Sequence, residues 1–240
     1  MNADTAPNIL AIDTAASVLS VALDTASGQW YFEADAGTRH SQLVMEITDI
    51  LLKKAGLKPA DLSLVVCMNG PGSFTGLRIG FSCAKGLALA LNIPFAVVSS
   101  LECMAYPYSV WPGLVLPVID AKKSSWFCAL FSDGARITDD MDADAQAIAA
   151  AICATVGQNP AGKPRQVLLT GPDAAGLRGE LSLRLCENTV ILTAPSCRSG
   201  VARELLAIAK NRKMFNNEGS NFNFGPEYIR KSDAEINMGK

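Results

Sequence analysis

The amino-acid sequence predicts an α/β fold of two similar units in tandem. Three observations predict it. Short apolar runs that read as buried strands alternate with amphipathic helical stretches. Two of those runs, Asn8–Thr14 (NILAIDT) and Leu114–Asp120 (LVLPVID), close on an Asp and are each followed by a return strand. Each half then continues through helix and strand, the pattern of a mixed sheet flanked by helices. With 240 residues, 49% of them hydrophobic, the chain can fill a large core.

The elements follow in order. Asn8–Thr14 is the first strand, Ser17–Asp24 the second, and Gln29–Ala34 the third, after turn chemistry at Thr25–Gly28. Ser41–Ala55 is a helix, because Leu43, Val44, Ile47, Ile50 and Leu51 share one apolar face, and Gly56 stops it. Leu64–Met68 is too short and too apolar for a surface helix and reads as a strand. It runs into the glycine loop Gly70–Gly76, and a long helix then extends from Phe74 or Thr75 to Leu91, ended by Asn92-Ile93-Pro94. Phe95–Val98 is the fifth strand. Pro107–Gly113 is the boundary, giving a first lobe of 1–111 and a smaller second lobe of 112–240. The second lobe repeats the theme: Leu114–Asp120, a return strand at Trp126–Phe131, a helix over Asp142–Val156, strands at Val167–Thr170 and Val190–Thr193, and a late helix over Gly200–Arg212. The tail Asn216–Lys240 reads as irregular, anchored by Tyr228 and Ile229 and able to pack back on the first lobe. Two such units, each opening with a hairpin whose first strand ends in Asp, predict the two-lobed actin-like ATPase (ribonuclease H-like) architecture.

Composition narrows the function. Lys+Arg is 21 and Asp+Glu is 23, a net charge of −2, with only short basic clusters such as Lys122-Lys123 and Lys210–Lys213. An autonomous nucleic-acid binder needs a clustered basic excess, so any RNA would be held mostly by something else. Only 18% of residues are charged, which fits either a covered partner interface or a compact Ala-rich protein. The seven cysteines are widely spaced without a CxxC pair, and His40 is the single histidine. Reduced core cysteines are expected and a zinc site is not. The start Met-Asn-Ala-Asp has no positive stretch, and no apolar run reaches about 18 residues. The expectation is a cytoplasmic chain without a membrane span.

The segment with most information is Gly70-Pro71-Gly72-Ser73-Phe74-Thr75-Gly76-Leu77-Arg78-Ile79-Gly80, between a strand and a helix. That turn lies at the carboxyl edge of a sheet, where ligands bind, and free N–H groups at a helix start suit an anion. The spacing is not that of a Walker loop, and Ser73 is not in a GxSxG elbow. A tight turn with an N-cap and a phosphate contact involving Asp13, Gly72, Ser73 and Gly76 are both open on this reading.

The loop resembles the signature of the TsaB (YeaZ) family. Agreement extends to Ile9-Leu10-Ala11-Ile12-Asp13-Thr14, His40-Ser41-Gln42, Gly56-Leu57, Asp61-Leu62, Lys85-Gly86-Leu87-Ala88, Val98-Ser99-Ser100-Leu101, Ile119-Asp120-Ala121 and Pro226-Glu227-Tyr228-Ile229-Arg230. The second half matches loosely, and Lys122-Lys123-Ser124-Ser125 stands where many relatives carry an acidic or glycine-rich turn. The resemblance implies a role in forming threonylcarbamoyladenosine beside the anticodon of tRNAs that read codons starting with A. It implies a non-catalytic scaffold with no cofactor of its own. The expected partners are the catalytic paralogue TsaD and, through that pair, the ATPase TsaE. A homodimer is expected when the chain is alone, and tRNA contact only within the complex.

The residues argue the same way. The paralogue's HxxxH metal pair aligns with Ser100 and Met104, and Glu102 stands between them without histidine partners. No metal is expected. The turns Asp13-Thr14-Ala15-Ala16 and Asp120-Ala121-Lys122 keep the Asp of an Asp-x-Gly phosphate loop and lack the Gly, whose missing Cβ lets a phosphate approach. Gly171-Pro172-Asp173 resembles an adenosine-binding glycine pair only weakly. Two other readings stand beside the scaffold: an active ATP-dependent transferase of the actin-like class, and a metallopeptidase, which lacks HExxH here. For pairing, the family's surface implies the first two helices. Gly76, Gly80, Ala84 and Ala88 form a small-residue stripe along the second, with His40, Leu43 and Ile47 at the edge of the contact. The stripe could equally pack on the chain's own sheet.

Overall fold

Every residue of the strand Ile9–Asp13 (β1) is buried, and a strand buried on both faces needs cover on both sides. The computed structural model describes residues 6–156, 165–187, 189–195, 200–216, 225–227 and 229. β2 (Val18–Thr25) pairs antiparallel with β1, and β3 (Gly28–Asp35) antiparallel with β2. After the helix α1 (His40–Lys54), β4 (Leu64–Gly70) lies parallel to β1 on its other side. After α2 (Phe74–Leu91), β5 (Phe95–Ser99) lies parallel to β4. The order is β3-β2-β1-β4-β5. Leu10, Ile12, Val65 and Cys67 share a core with Val44, Ile47, Leu51 and Leu52 of α1 and Phe81, Ala84 and Ala88 of α2. The alternate residues of β1 turn to the opposite face, which meets the late helix Ala202–Asn211.

The short helix α3 (Ser100–Ala105) leads to the second sheet. Its strands are β6 (Leu114–Lys122), β7 (Ser125–Cys128), β8 (Phe131–Ser132), β9 (Ala135–Arg136) and β10 (Met141–Ala143), then β11 (Arg165–Thr170) and β12 (Thr189–Thr193). The main path is β10-β7-β6-β11-β12, with β8 and β9 off β6. β7 is antiparallel to β6 and β10 to β7, while β11 is parallel to β6 and β12 to β11. Helices α4 (Ala145–Val156) and α5 (Ala174–Leu181) cover this sheet through Ile148, Ile152, Leu177 and Leu181. The helix Ala202–Asn211 is α6. Each sheet thus carries the same five-strand order and directions, and the predicted actin-like ATPase, ribonuclease H-like class is the observed one.

The differences from expectation have local causes. The described residues divide into one unit running up to Cys103 together with 200–226, and a second from Met104 to 195 together with 227 and 229. The late helix, expected in the second lobe, therefore sits in the first unit, because its apolar residues Leu205, Leu206, Ile208 and Ala209 are buried there. α4 starts at Ala145 rather than Asp142, because Met141–Ala143 pairs with β7 and the Asp144 carboxylate accepts from Ala147 N–H at 2.8 Å. Ile50, assigned to the core face of α1, is 43% exposed. The return strand read over Trp126–Phe131 is split, β7 ending at Cys128 and Phe131 belonging to β8, and the helices α3 and α5 and the strand β9 had no clear periodic signal. α2 is 18 residues long and, by length and composition alone, could cross a membrane, although no uninterrupted apolar run of that length exists. Its buried residues lie against β4, and Asn92 caps its C-terminus in the left-handed conformation. Tyr228 and most of the tail, like Cys197, lie outside the described residues.

Candidate functional site

β1 delivers Asp13 to the carboxyl edge of the first sheet, where it is 3% exposed. Its Oδ1 accepts from Ala15 N–H at 3.0 Å. Its Oδ2 accepts from the Ser20 hydroxyl at 3.1 Å and from Val201 N–H at 3.0 Å. Ser20 Oγ accepts in turn from Ala202 N–H at 3.1 Å, and Glu33 from Gly200 N–H at 3.2 Å. Three successive N–H groups at the start of α6 are therefore satisfied by side chains of β1, β2 and β3. α6 has no capping side chain of its own, and acceptors with negative charge suit the positive end of a helix. Tyr31 completes the cluster: its hydroxyl donates to Glu33 at 2.5 Å, and Arg203 lies 3.9 Å over its ring. Burial pushes the Asp13 carboxyl above its ordinary range, against the lowering effect of the Val201 and Ala15 N–H groups, the Ser20 hydroxyl and His40. Burial likewise raises Glu204.

The glycine loop closes over the same turn. Ser73 N–H donates to the Ala15 carbonyl at 2.8 Å, and Ser73 Oγ caps α2 by accepting from Gly76 N–H at 3.2 Å. The Thr14 hydroxyl donates to the Gly76 carbonyl at 2.7 Å. A Cβ on Gly76 would strike the Thr14 carbonyl, one on Gly80 the Thr14 hydroxyl, and one on Gly72 would lie 2.6 Å from the Ala15 carbonyl. These glycines admit the chain's own β1–β2 turn. The stripe is thereby resolved: Gly76 and Gly80 face Thr14, and Ala84 and Ala88 are fully buried in the core. Gly76, Gly80 and Ala84 are not on an exposed pairing face. Ile47 is buried as well, Leu43 is half-buried, and His40 is 5% exposed with an unpartnered Nε2.

The outward faces of these helices are apolar in a different set of residues. Met45 and Ile50 of α1 and Phe74 and Leu89 of α2 are exposed large hydrophobics. Arg78 lies 3.8 Å over the Phe74 ring. Gly86 is exposed, with nothing within 4 Å of where its Cβ would stand.

The remaining predicted positions serve structure. Ser100 is fully buried with its Oγ unpartnered, Met104 is buried, and Glu102 pairs with Arg212 of the chain just after α6. Among the described residues no group of three or more His, Cys, Asp or Glu could hold a metal ion. At the second Asp turn, the Asp120 carboxylate accepts from its neighbour Lys122, through N–H at 2.7 Å and Nζ at 2.5 Å. Burial pushes Asp120 up, but the Lys122 N–H, ammonium hydrogen bond and charge together outweigh it and hold the carboxyl below its ordinary range. Asp173, beside Gly171, accepts from Asp120 N–H at 2.8 Å. Lys122, Lys123 and Ser124 all have positive φ, of 63°, 58° and 57°. What sequence reasoning missed is the capping of α6. One signal was present: Ser20, a polar residue at an inward position of the apolar run SVLSVALD.

Residues 34–238 match the family described as TsaD: tRNA N6-adenosine threonylcarbamoyltransferase. The chain is 31% identical over 232 residues to the tRNA threonylcarbamoyladenosine biosynthesis protein TsaB of Bacillus subtilis, covering 95% of this chain and 96% of that protein. It is 36% identical over 126 residues to TsaB of Escherichia coli, covering 50% of this chain and 53% of that one. YeaZ from Pseudomonas aeruginosa shares the fold, with a TM-score of 0.72 at 22% identity, covering 93% of this chain and 100% of that one.

Proposed function

The chain belongs to the TsaB family of tRNA threonylcarbamoyladenosine biosynthesis proteins, and from that premise we propose that it is the non-catalytic scaffold subunit of this modification. One observation carries the reading: the turn Asp13-Thr14-Ala15 is filled by the chain itself. The Asp13 carboxylate holds α6, Thr14 holds Gly76, and the Ala15 carbonyl holds Ser73. The groups that an actin-like ATPase turns toward a phosphate are already paired. Ser100 and Met104, buried on α3, add no metal-binding imidazole.

The partner in this reading is the catalytic paralogue TsaD, with TsaE joining the pair and tRNA held by the complex. The net charge of −2 supports the last point, since non-specific tRNA binding depends on neutralising phosphates. The pairing surface is the outward side of α1 and α2, around Met45, Ile50, Phe74, Gly86 and Leu89, with Leu43 at its edge. A homodimer forms through it when the paralogue is missing, and the site of action is the cytoplasm. The active-transferase reading draws on the match to the transferase family. Titration calorimetry separates the two, since tight Mg-ATP binding by the lone chain would favour the enzyme.

The direct test is co-expression with the paralogue and size exclusion of wild type, Gly86→Arg and Leu89→Arg. Neither variant should melt below wild type, and both should lose co-elution. Unchanged co-elution would remove this surface from the proposal.

A further inference from the structure

Two half-buried cysteines of the second unit sit side by side. Cys153 lies in the last turn of α4, and Cys186 in the segment between α5 and β12. Cys186 N–H points at Cys153 Sγ, 3.2 Å away, although the residues are 33 apart in sequence. Cys186 Sγ rests 3.3 Å from Thr189 Oγ1. A cysteine sulfur lies roughly 2.8 Å from its own Cα, and N lies about 1.46 Å from Cα, so the two Cα atoms are at most about 7.5 Å apart. A disulfide forms at about 4.4–6.8 Å. Bridging the two requires the Cys186 side chain to turn away from Thr189 and its segment to move slightly. Cys67, Cys103 and Cys128 are buried, and Cys83 is half-buried in the first unit.

We propose that Cys153 and Cys186 form a reversible disulfide, making the second unit a redox-responsive clamp on the segment that leads into β12. The oxidant is a peroxide. One thiol takes an oxygen atom from it and becomes a sulfenic acid, with release of water from hydrogen peroxide. The other sulfur then attacks that sulfur, the S–O bond breaks, the S–S bond forms and a second water leaves. Both electrons end on the peroxide oxygens. A dithiol reductant reverses the step by exchange. The cross-link ties the end of α4 to the chain after α5 and restricts the unfolded chain over the intervening stretch.

The test is peroxide titration of the full chain, followed by non-reducing digestion and mass spectrometry. The expected product is the Cys153–Cys186 linked peptide, two hydrogens lighter than its parts and restored by dithiothreitol. The oxidised protein should melt several degrees above the reduced one. Cys153→Ser and Cys186→Ser should each abolish the peptide and the shift while melting like reduced wild type. Three results would overturn the proposal. They are separate oxidation of the two residues to sulfinic or sulfonic acids, linkage to other cysteines instead, and no reaction at doses that oxidise Cys83.

Discussion

The two strands that end in Asp use the carboxylate in opposite ways. Asp13 is 3% exposed and binds Val201, 188 positions away, at the start of α6. Asp120 is partly exposed and binds its own neighbour Lys122. Burial therefore raises one carboxyl, while the lysine lowers the other. The same motif becomes a tertiary anchor where its carboxylate accepts from the start of α6, and a local hairpin contact where the carboxylate turns to Lys122 and only its backbone N–H reaches Asp173 at the start of α5. Neither turn retains the glycine of an Asp-x-Gly phosphate loop.

The largest expected effect is inside α2. Ala84→Arg places an unpaired charge in the core and should cost about 3–5 kcal/mol, unfolding the first unit, whereas Gly86→Arg two residues on should keep or slightly raise the melt, since arginine is the better helix former at an open site. Similar melts for the two would break the assignment of inward and outward faces. Next, Asp13→Ala removes a buried acceptor and leaves the Val201 N–H unpaired, for a loss of about 1–3 kcal/mol. Asp120→Ala should lose under about 1 kcal/mol. Urea titration of both variants checks this, and equal losses would erase the contrast.

pH sharpens the comparison further. The folded-state pKa of Asp13 is raised, so its contribution to stability is fully present below its unfolded value of 3.8 and is lost as pH rises through the folded value. The folded-state pKa of Asp120 is lowered, so its contribution is present above 3.8 and lost as pH falls through the folded value. Urea midpoints taken from pH 7 down to 3 should show opposite changes in slope for Asp13→Asn and Asp120→Asn. Slopes moving in one direction for both would contradict the assigned environments. The smallest effect belongs to the strained tip of the second turn. Ser124→Gly puts the residue that favours positive φ into the two-residue hairpin loop and should stabilise by about 0.5–1 kcal/mol, measured by thermal melt.

Much of the fold was legible. Short apolar runs located nearly all the strands of the main sheets, a shared apolar face located α1, and Asn92-Ile93-Pro94 marked the end of α2. The glycine loop was legible as a close approach, but not what approaches: spacing puts Gly76, Gly80, Ala84 and Ala88 on one face without saying which side that face meets. α6 was visible as a helix but assigned by chain order to the wrong unit. Its docking depends on Asp13, Ser20 and Glu33, whose contacts span 167 to 188 residues. No local pattern encodes a contact of that range. α5 escaped because Gly176 and Gly179 dilute its helical signal.

We propose that this chain supports the modification of tRNA without performing it. The most direct measurement is threonylcarbamoyladenosine formation on tRNA by the purified chain alone and together with its catalytic paralogue and the ATPase. We expect no product from the chain alone, and product from the complete set that is lost when this chain is omitted. Turnover by the chain alone, abolished by Asp13→Ala in a variant that remains folded, would contradict the claim.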